Sequence, residues 1–397
     1  MRKVHEVDAN LKRIKRSRRN ALCRTSVLAA AASMSACTPD TPGVGSGEVL
    51  TIPPGRTDAL TSSTAPDAPP ARWVGLVGEY GPDDDVWLIL ENQGGLEALR
   101  GEITYSLKDA LRDARRDAPQ DGSGDASPDE FLLLPPDAES AGRLIFTRRG
   151  EGHASGFRAS GGFFERRQIG ALAGEIFRID PVRDVEELRV EALAASPPEE
   201  EGTYRASELV DLTSLDPTIR LDVRYATNNN FMNAVFYEDA RAFLQRPAAS
   251  AVARASQALV PYGYGLLIHD GYRPWYVTKM FWDATPAHQR EFVANPVSGS
   301  RHNRGAAVDL ALYDLASGAP VPMPGSYDEF SHRSYPDYPG GTARERWHRD
   351  LLRQVMEAEG FTVNPGEWWH FDYGDGSEYG IQNQVFSEIG VFDEEGQ

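Results

Sequence analysis

Two short segments gather side chains that could bind a metal and move a proton. Ser300-Arg301-His302-Asn303-Arg304-Gly305-Ala306-Ala307-Val308-Asp309-Leu310-Ala311-Leu312 sets a histidine and an aspartate seven residues apart. Pro365-Gly366-Glu367-Trp368-Trp369-His370-Phe371 places two ionisable groups among large aromatic side chains. Burying such groups is costly unless they are paired or bind a metal. A hydrolytic zinc site uses three protein ligands, an open position for water and a nearby carboxylate that takes the water's proton. His302, Asp309 and His370 supply the ligands, and Glu367 the base. Each segment alone has a plainer reading: a loop histidine capped by an acid, and an aromatic core strand with a hydrogen-bonded histidine. Their joint presence favours the metal site.

The elements that position these groups follow from local pattern. Residues 307–312 alternate as a strand, so Asp309 shares a face with the small Ala307 and Ala311 while Val308, Leu310 and Leu312 point the other way. His302 precedes this strand in a loop that Gly305 can bend sharply, which lets its imidazole fold back over Asp309. Glu367 and His370 present a difficulty, because residues three apart face opposite sides of an ideal strand. The Pro365-Gly366 turn or a bulge must re-aim Glu367.

Composition narrows the class. The formal charge is -18, and residues 1–36 hold nine Lys/Arg against two Asp/Glu, which leaves 32 basic and 57 acidic side chains in the rest. Such a surface repels nucleic acid and anionic lipid, so no nucleic-acid partner is expected. No stretch approaches the roughly 20 apolar residues of a spanning helix. The two cysteines, Cys23 and Cys37, lie near the start, so the metal site must rest on His and carboxylates.

The first residues pattern as an export signal: a basic run from Lys12 to Arg19, a weakly apolar stretch Thr25 to Ala36, then Cys37. Met34-Ser35-Ala36-Cys37 resembles a bacterial lipobox, with Met34 in place of the usual Leu, and lipidation at Cys37 is expected. Ser17-Arg18-Arg19-Asn20-Ala21-Leu22 resembles a twin-arginine signal. The expected location is exported, periplasmic or cell-surface, with membrane attachment through lipidated Cys37.

The expected organisation is an export signal at 1–37, a Pro/Thr/Ser-rich tether at 38–71, a small β-rich domain at 72–196, a linker at 197–206, the chemical domain at 207–390 and an acidic tail at 391–397. Short apolar runs separated by Gly, Asp and Pro, among them Val86 to Glu91, Phe131 to Leu134 and Glu175 to Ile179, predict antiparallel strands in the β domain. Leu107 to Asp117 is expected as a short charged helix or an insertion, and Asp83-Asp84-Asp85 as a solvated turn rather than a cation loop. In the chemical domain, strands are expected at Ile219 to Tyr225 and Tyr264 to Asp270, and helices at Pro247 to Val260 and Thr342 to Glu359. The fold class is α+β, with a central antiparallel sheet flanked by helices.

On these motifs the chain resembles the VanX-type D-alanyl-D-alanine dipeptidases, zinc peptidases of the Hedgehog/D,D-peptidase fold. The family's S-x-H-x-x-G-x-A-x-D pattern stands as Ser300, His302, Gly305, Ala307 and Asp309, and its E-W-W-H as Glu367 to His370. The resemblance covers about Leu209 to Phe386. It implies one zinc ion per chain and D-Ala-D-Ala or related small D-amino-acid dipeptides as substrate. It assigns Arg273 to stabilising the tetrahedral intermediate, Tyr225 and Asp328 to the substrate ammonium, and Ser300 to its carboxylate. It leaves the β domain without a role; contact with the cell wall is one expectation for it.

Two alternatives accompany this reading. A carboxypeptidase or endopeptidase acting on peptidoglycan stem peptides needs the same ligands but an open N-terminal side, against which Asp328 with Tyr225 argues. A non-catalytic zinc-containing binding protein needs neither Glu367 nor Arg273.

Overall fold

The computed structural model describes residues 64–110, 129–136, 142–148, 152–159, 161–168 and 176–389. The basic run, Cys23, Cys37, the tether and the acidic tail lie outside the described residues. Among the described residues no helix is long and apolar enough to cross a membrane.

The N-terminal strands are β1 (Gly78–Tyr80), β2 (Trp87–Asn92), β3 (Gly95–Arg100), β4 (Ile103–Asp109), β5 (Glu130–Leu134), β6 (Gly142–Arg148), β7 (Ala154–Ala159) and β8 (Gly162–Glu165). Each pairs antiparallel with the next. The meander closes on itself, since Gly81 N–H donates to Glu165 O and Arg167 N–H to Glu79 O, both at 2.8 Å. Closure removes the free edges that an open sheet would expose. The interior is filled rather than hollow: Tyr80, Trp87, Ile89, Phe131, Phe146 and Phe157 are buried there, with the Phe157 ring 5.2 Å from Tyr80 and 5.4 Å from Phe146. Each such side chain contributes roughly 1.5–3 kcal/mol on burial.

The C-terminal part contains β9 (Leu209–Asp211), β10 (Arg220–Leu221), β11 (Phe243–Gln245), β12 (Tyr264–Asp270), β13 (Ala307–Asp314), β14 (Phe361–Asn364) and β15 (Glu367–Tyr373). Five of them form one sheet in the order β10-β12-β13-β15-β14, while β11 pairs with β9. Helices α1 (Val185–Ala194), α2 (Arg246–Leu259), α3 (Trp275–Ala284) and α4 (Ala343–Ala358) accompany them. Leu266, Ile268, Val308, Leu310 and Leu312 pack with residues of α2 and α4 such as Val252 and Leu352. A second core joins α1 and α3 to Tyr225, Phe231 and Tyr237. α4 starts at a capping box, in which Thr342 accepts from Glu345 N–H and Glu345 accepts from Thr342 N–H.

Several expectations are corrected. The sheet is not wholly antiparallel, because β10 runs parallel to β12. Residues 219–225 do not form one strand: only Arg220–Leu221 pairs, after which Arg224–Ala226 makes a 3₁₀ turn that carries Tyr225 into the second core. Leu107 lies in β4 rather than a helix, and 111–117 lie outside the described residues. Residues 176–180 are irregular, and Ile179 packs with α1 in the core of the C-terminal domain, so the segment 176–194 belongs there and not with the barrel. The 197–206 stretch is fastened to that domain, for Glu200 accepts from Ile381 N–H at 2.6 Å and Arg205 N–H donates to Glu378 O at 2.8 Å. Asp83 to Asp85 do form a turn, with Asp83 paired to Arg167 and Asp85 to Arg100.

Candidate metal centre and active site

β13 and β15 bring Asp309 and His370 directly opposite one another. His302 opens a 3₁₀ turn, His302–Arg304, that ends at Gly305 in the left-handed conformation with φ 66°. A Cβ at Gly305 would stand 2.6 Å from Leu209 Cδ2, so both backbone and space call for glycine there. The turn folds His302 over Asp309 as its spacing predicts. Across β14 and β15, Val363 pairs with Phe371 but Asn364 with Glu367, so Trp368 to His370 bulge from the ladder. That bulge removes the strand-geometry objection: Glu367 Oε2 lies 3.7 Å from His370 Nδ1, on the same side.

The outer hydrogen bonds fix which ring nitrogens face inward. His302 Nδ1 stands 2.7 Å from Gly271 O, an acceptor only, so Nδ1 carries the proton and Nε2 a lone pair. His370 Nε2 likewise faces the Asp372 carboxylate at 3.1 Å, which leaves Nδ1 free to coordinate. These two nitrogens are 3.1 Å apart, and Asp309 Oδ1 lies 3.4 Å from the first and 3.0 Å from the second. Three donors bound at about 2.0–2.1 Å in a tetrahedral arrangement would stand roughly 3.3 Å apart. Asp309 Oδ1 is buried without a hydrogen-bond partner among the described residues.

The electrostatics agree. Burial alone would lower the His370 pKa, but the carboxylates of Asp309 and Asp372 beside its ring carry it well above the ordinary imidazole range. Burial alone would raise Asp309, yet the two histidines hold its carboxyl well below the usual range. The donor set, with one ligand atom from each of His302, Asp309 and His370 within 4.8 Å of the others, fits a divalent metal.

Around it, Glu367 is part-buried, and burial raises its pKa, with His370 opposing and the Asp309 charge reinforcing the shift. Arg273 Nε and Nη2 both donate to Asp270 Oδ2, at 2.9 and 2.8 Å, and Nη2 comes within 3.7 Å of Asp309 Oδ2. Burial opposes the Arg273 charge, but Asp270 and the surrounding acidic groups keep its pKa well above the usual value. Tyr225 donates to Asp328, and the neighbouring Tyr327 hydroxyl stands 3.3 Å from Asp309 Oδ2. Ser300 Oγ accepts from His302 N–H at 3.2 Å and so at least caps the turn.

Five further residues belong to this constellation. Asp270, in register with Asp309 past a bulge in β12, holds Arg273, and Tyr237 donates to it at 2.8 Å. Asn303 ties the His302 turn to Arg273 O at 2.8 Å. The Tyr327 hydroxyl stands against Asp309, and Asp372 holds the His370 ring. Only Asp372 had a direct sequence signal, since residues two apart on a strand share a face.

Three ligands, an adjacent carboxylate and a held guanidinium define a metallohydrolase centre. The D-ala-D-ala dipeptidase family profile, Peptidase_M15, matches residues 205–391. The D-alanyl-D-alanine dipeptidase of Escherichia coli is 33% identical over 181 residues, covering 46% of this chain and 92% of that protein. The D-alanyl-D-alanine dipeptidase of Enterococcus faecium is 34% identical over 171 residues, covering 38% of this chain and 85% of its own. That of Streptomyces coelicolor is 34% identical over 174 residues, with coverage of 38% and 85%. The chain belongs to the Peptidase_M15 D-alanyl-D-alanine dipeptidase family.

Proposed function

We propose that this chain hydrolyses D-alanyl-D-alanine to two D-alanines, with a zinc ion held by His302, Asp309 and His370. The observation that carries the substrate is the buried Tyr225–Asp328 pair, one residue from Tyr327 and its contact with Asp309. A carboxylate there can pair with one ammonium group, which a free dipeptide has and an acylated or longer chain lacks at that position.

When bound, zinc supplies Lewis acidity, which makes a water a competent nucleophile near neutral pH and polarises the scissile carbonyl. Glu367 takes the proton from the attacking water and passes it to the departing amine. The Arg273 guanidinium, held in place by Asp270, meets the negative charge that develops on the carbonyl oxygen. Asp328 and Tyr225 hold the substrate ammonium, and Ser300, whose Oγ caps the His302 turn, takes the substrate carboxylate.

Export and anchoring through Cys37 accompany the proposal, and they suit turnover or scavenging of cell-wall dipeptide. The deciding experiment compares hydrolysis of free D-Ala-D-Ala, N-acetyl-D-Ala-D-Ala and stem pentapeptide, with Glu367→Ala as control. Preferential cleavage of the free dipeptide is expected. Cleavage of only the acylated or longer substrates would sink the dipeptidase reading, and zinc binding without cleavage would point to a binding protein.

A further inference from the structure

The barrel lies outside the segment that matches the dipeptidase family, yet two of its carboxylates are buried against that segment. Glu79, on β1, is 2% exposed. Its Oε1 accepts from the Tyr338 hydroxyl at 2.8 Å and lies 2.9 Å from His332 Nε2. Burial would raise the Glu79 pKa, but the hydrogen bond and charge of His332 outweigh it and hold the carboxyl below its ordinary value. Glu91, at the end of β2, accepts from Ala343 N–H at 2.8 Å, while its carbonyl accepts from Arg346 at the same distance. Between these anchors, the Tyr338 ring packs on Leu88 and Leu90 of the barrel's outer surface.

Tyr338 and His332 belong to the long connection between β13 and α4, and so does Asp328. Asp328 has φ 60°, in the left-handed region that aspartate enters more readily than most residues, and its carboxylate is held there by the Tyr225 hydroxyl. The next residue, Glu329, is fully buried. It accepts from Ser326 N–H on one flank at 3.2 Å and from Ser331 Oγ on the other at 2.7 Å, and Arg333 Nε stands 3.4 Å from it. Arg333 follows His332, so one dipeptide joins the Glu79 contact to an ion pair with Glu329, the residue beside Asp328. The ammonium-binding carboxylate is therefore set in a loop whose far end is fastened to another domain.

We propose that Glu79 is a positioning residue for dipeptide recognition, through which the barrel holds the loop carrying Asp328 in its binding geometry. The proposal rests on the ammonium-binding role given to Asp328 above. It gives the barrel a part in specificity rather than in spacing the enzyme from a surface. A residue that only stabilises the fold would, on removal, lower the amount of active enzyme and therefore kcat. A residue that positions Asp328 instead loosens the grip on the ammonium and shows in KM and in selectivity.

The test uses the full chain, loaded with zinc, as Glu79→Gln and, separately, Tyr338→Phe, which removes one hydroxyl and keeps the ring. KM for free D-Ala-D-Ala is expected to rise about ten-fold, as for loss of one hydrogen bond to a charged group. kcat should stay within about three-fold, and the preference for free over N-acetylated dipeptide should fall. Asp328→Asn runs alongside. If Asp328→Asn loses the preference while Glu79→Gln and Tyr338→Phe keep wild-type KM and preference, the positioning role is wrong and the ammonium site stands. A fall in kcat and metal content at unchanged KM overturns it equally, by marking a purely structural contact. Retention of the preference by Asp328→Asn would remove the ammonium site and the proposal together. Should Glu79→Gln fail to fold, Tyr338→Phe decides.

Discussion

The Tyr225 hydroxyl donates to both carboxylate oxygens of Asp328, at 2.8 and 3.0 Å, across 103 residues of sequence. Burial, with the Asp309 charge behind it, pushes the Asp328 carboxyl up to about 8, so the group lacks the cation that would let it ionise readily. Under the proposed function, a substrate ammonium is that cation. Below its pKa the carboxyl is neutral and binds the ammonium weakly; above it the pair forms. kcat/KM for the free dipeptide should therefore rise with pH through this transition. A metal at the three ligands offsets the Asp309 charge and moves the transition below 8 in the loaded enzyme. Asp328→Asn should lack this limb. An identical acidic limb in wild type and variant would remove the assignment.

Glu367→Gln tests the proton transfer apart from metal binding. Glutamine preserves the shape and can still accept from Asn364 Nδ2, which lies 3.3 Å from Glu367 Oε2, but it cannot take a proton from water. kcat should fall by about 10²–10⁴ while the zinc content per chain stays at the wild-type level. Activity within a few-fold of wild type would show that another group acts as base.

The grouping of His302, Asp309 and His370 was legible in the sequence because each sits in a locally determined element. Alternation fixes the Asp309 face, Gly305 fixes the turn behind His302, and the aromatic run places His370 on a buried strand. Tyr264–Asp270 and the helix behind Thr342 were equally plain, since seven consecutive buried residues and a capping box leave local marks. What was hidden depends on contacts distant in sequence. The 3₁₀ turn at Tyr225 forms where its ring enters an aromatic core beside Phe231 and Phe281, against the alternation of its own segment. Barrel closure between Tyr80 and Arg166 joins residues 86 apart. Residues 185–194 fall inside the span expected for the β domain, and the apolar face of Leu188 and Ala192 does not say in sequence which core receives it. The run Trp87–Glu91 carries a local signal of its contact with the second domain. A strand buried on both sides reads as continuous apolar residues, and here one side faces the barrel core while Leu88 and Leu90 face Tyr338.

Asp372 should matter for metal affinity more than for turnover. Its carboxylate fixes the His370 ring with Nδ1 inward and makes that nitrogen a better ligand, yet it lies on the far side of the ring from the metal. Asp372→Ala is expected to weaken zinc binding by about 10–100-fold, measured by competition with a chelator. With zinc in excess, kcat should recover to near wild type. Unchanged zinc affinity would mean that packing of the bulge alone orients His370.

Arg273→Lys separates charge from shape at the oxyanion position. The guanidinium spends Nε and Nη2 on Asp270 Oδ2, at 2.9 and 2.8 Å, and its central carbon lies 4.9 Å from the Phe281 ring and 5.3 Å from Tyr225. That seat suits a planar fork, which can hold Asp270 on one side and still present N–H groups toward the metal centre. An ammonium is a single point on a flexible stem: satisfying Asp270 withdraws it from the substrate, and reaching the substrate leaves Asp270 buried without its partner. The lysine variant should lose about 10²–10³-fold in kcat, with little change in KM, because the missing contact is made only as negative charge develops. A loss confined to KM would assign Arg273 to substrate binding instead, and full activity would show that positive charge in any geometry serves.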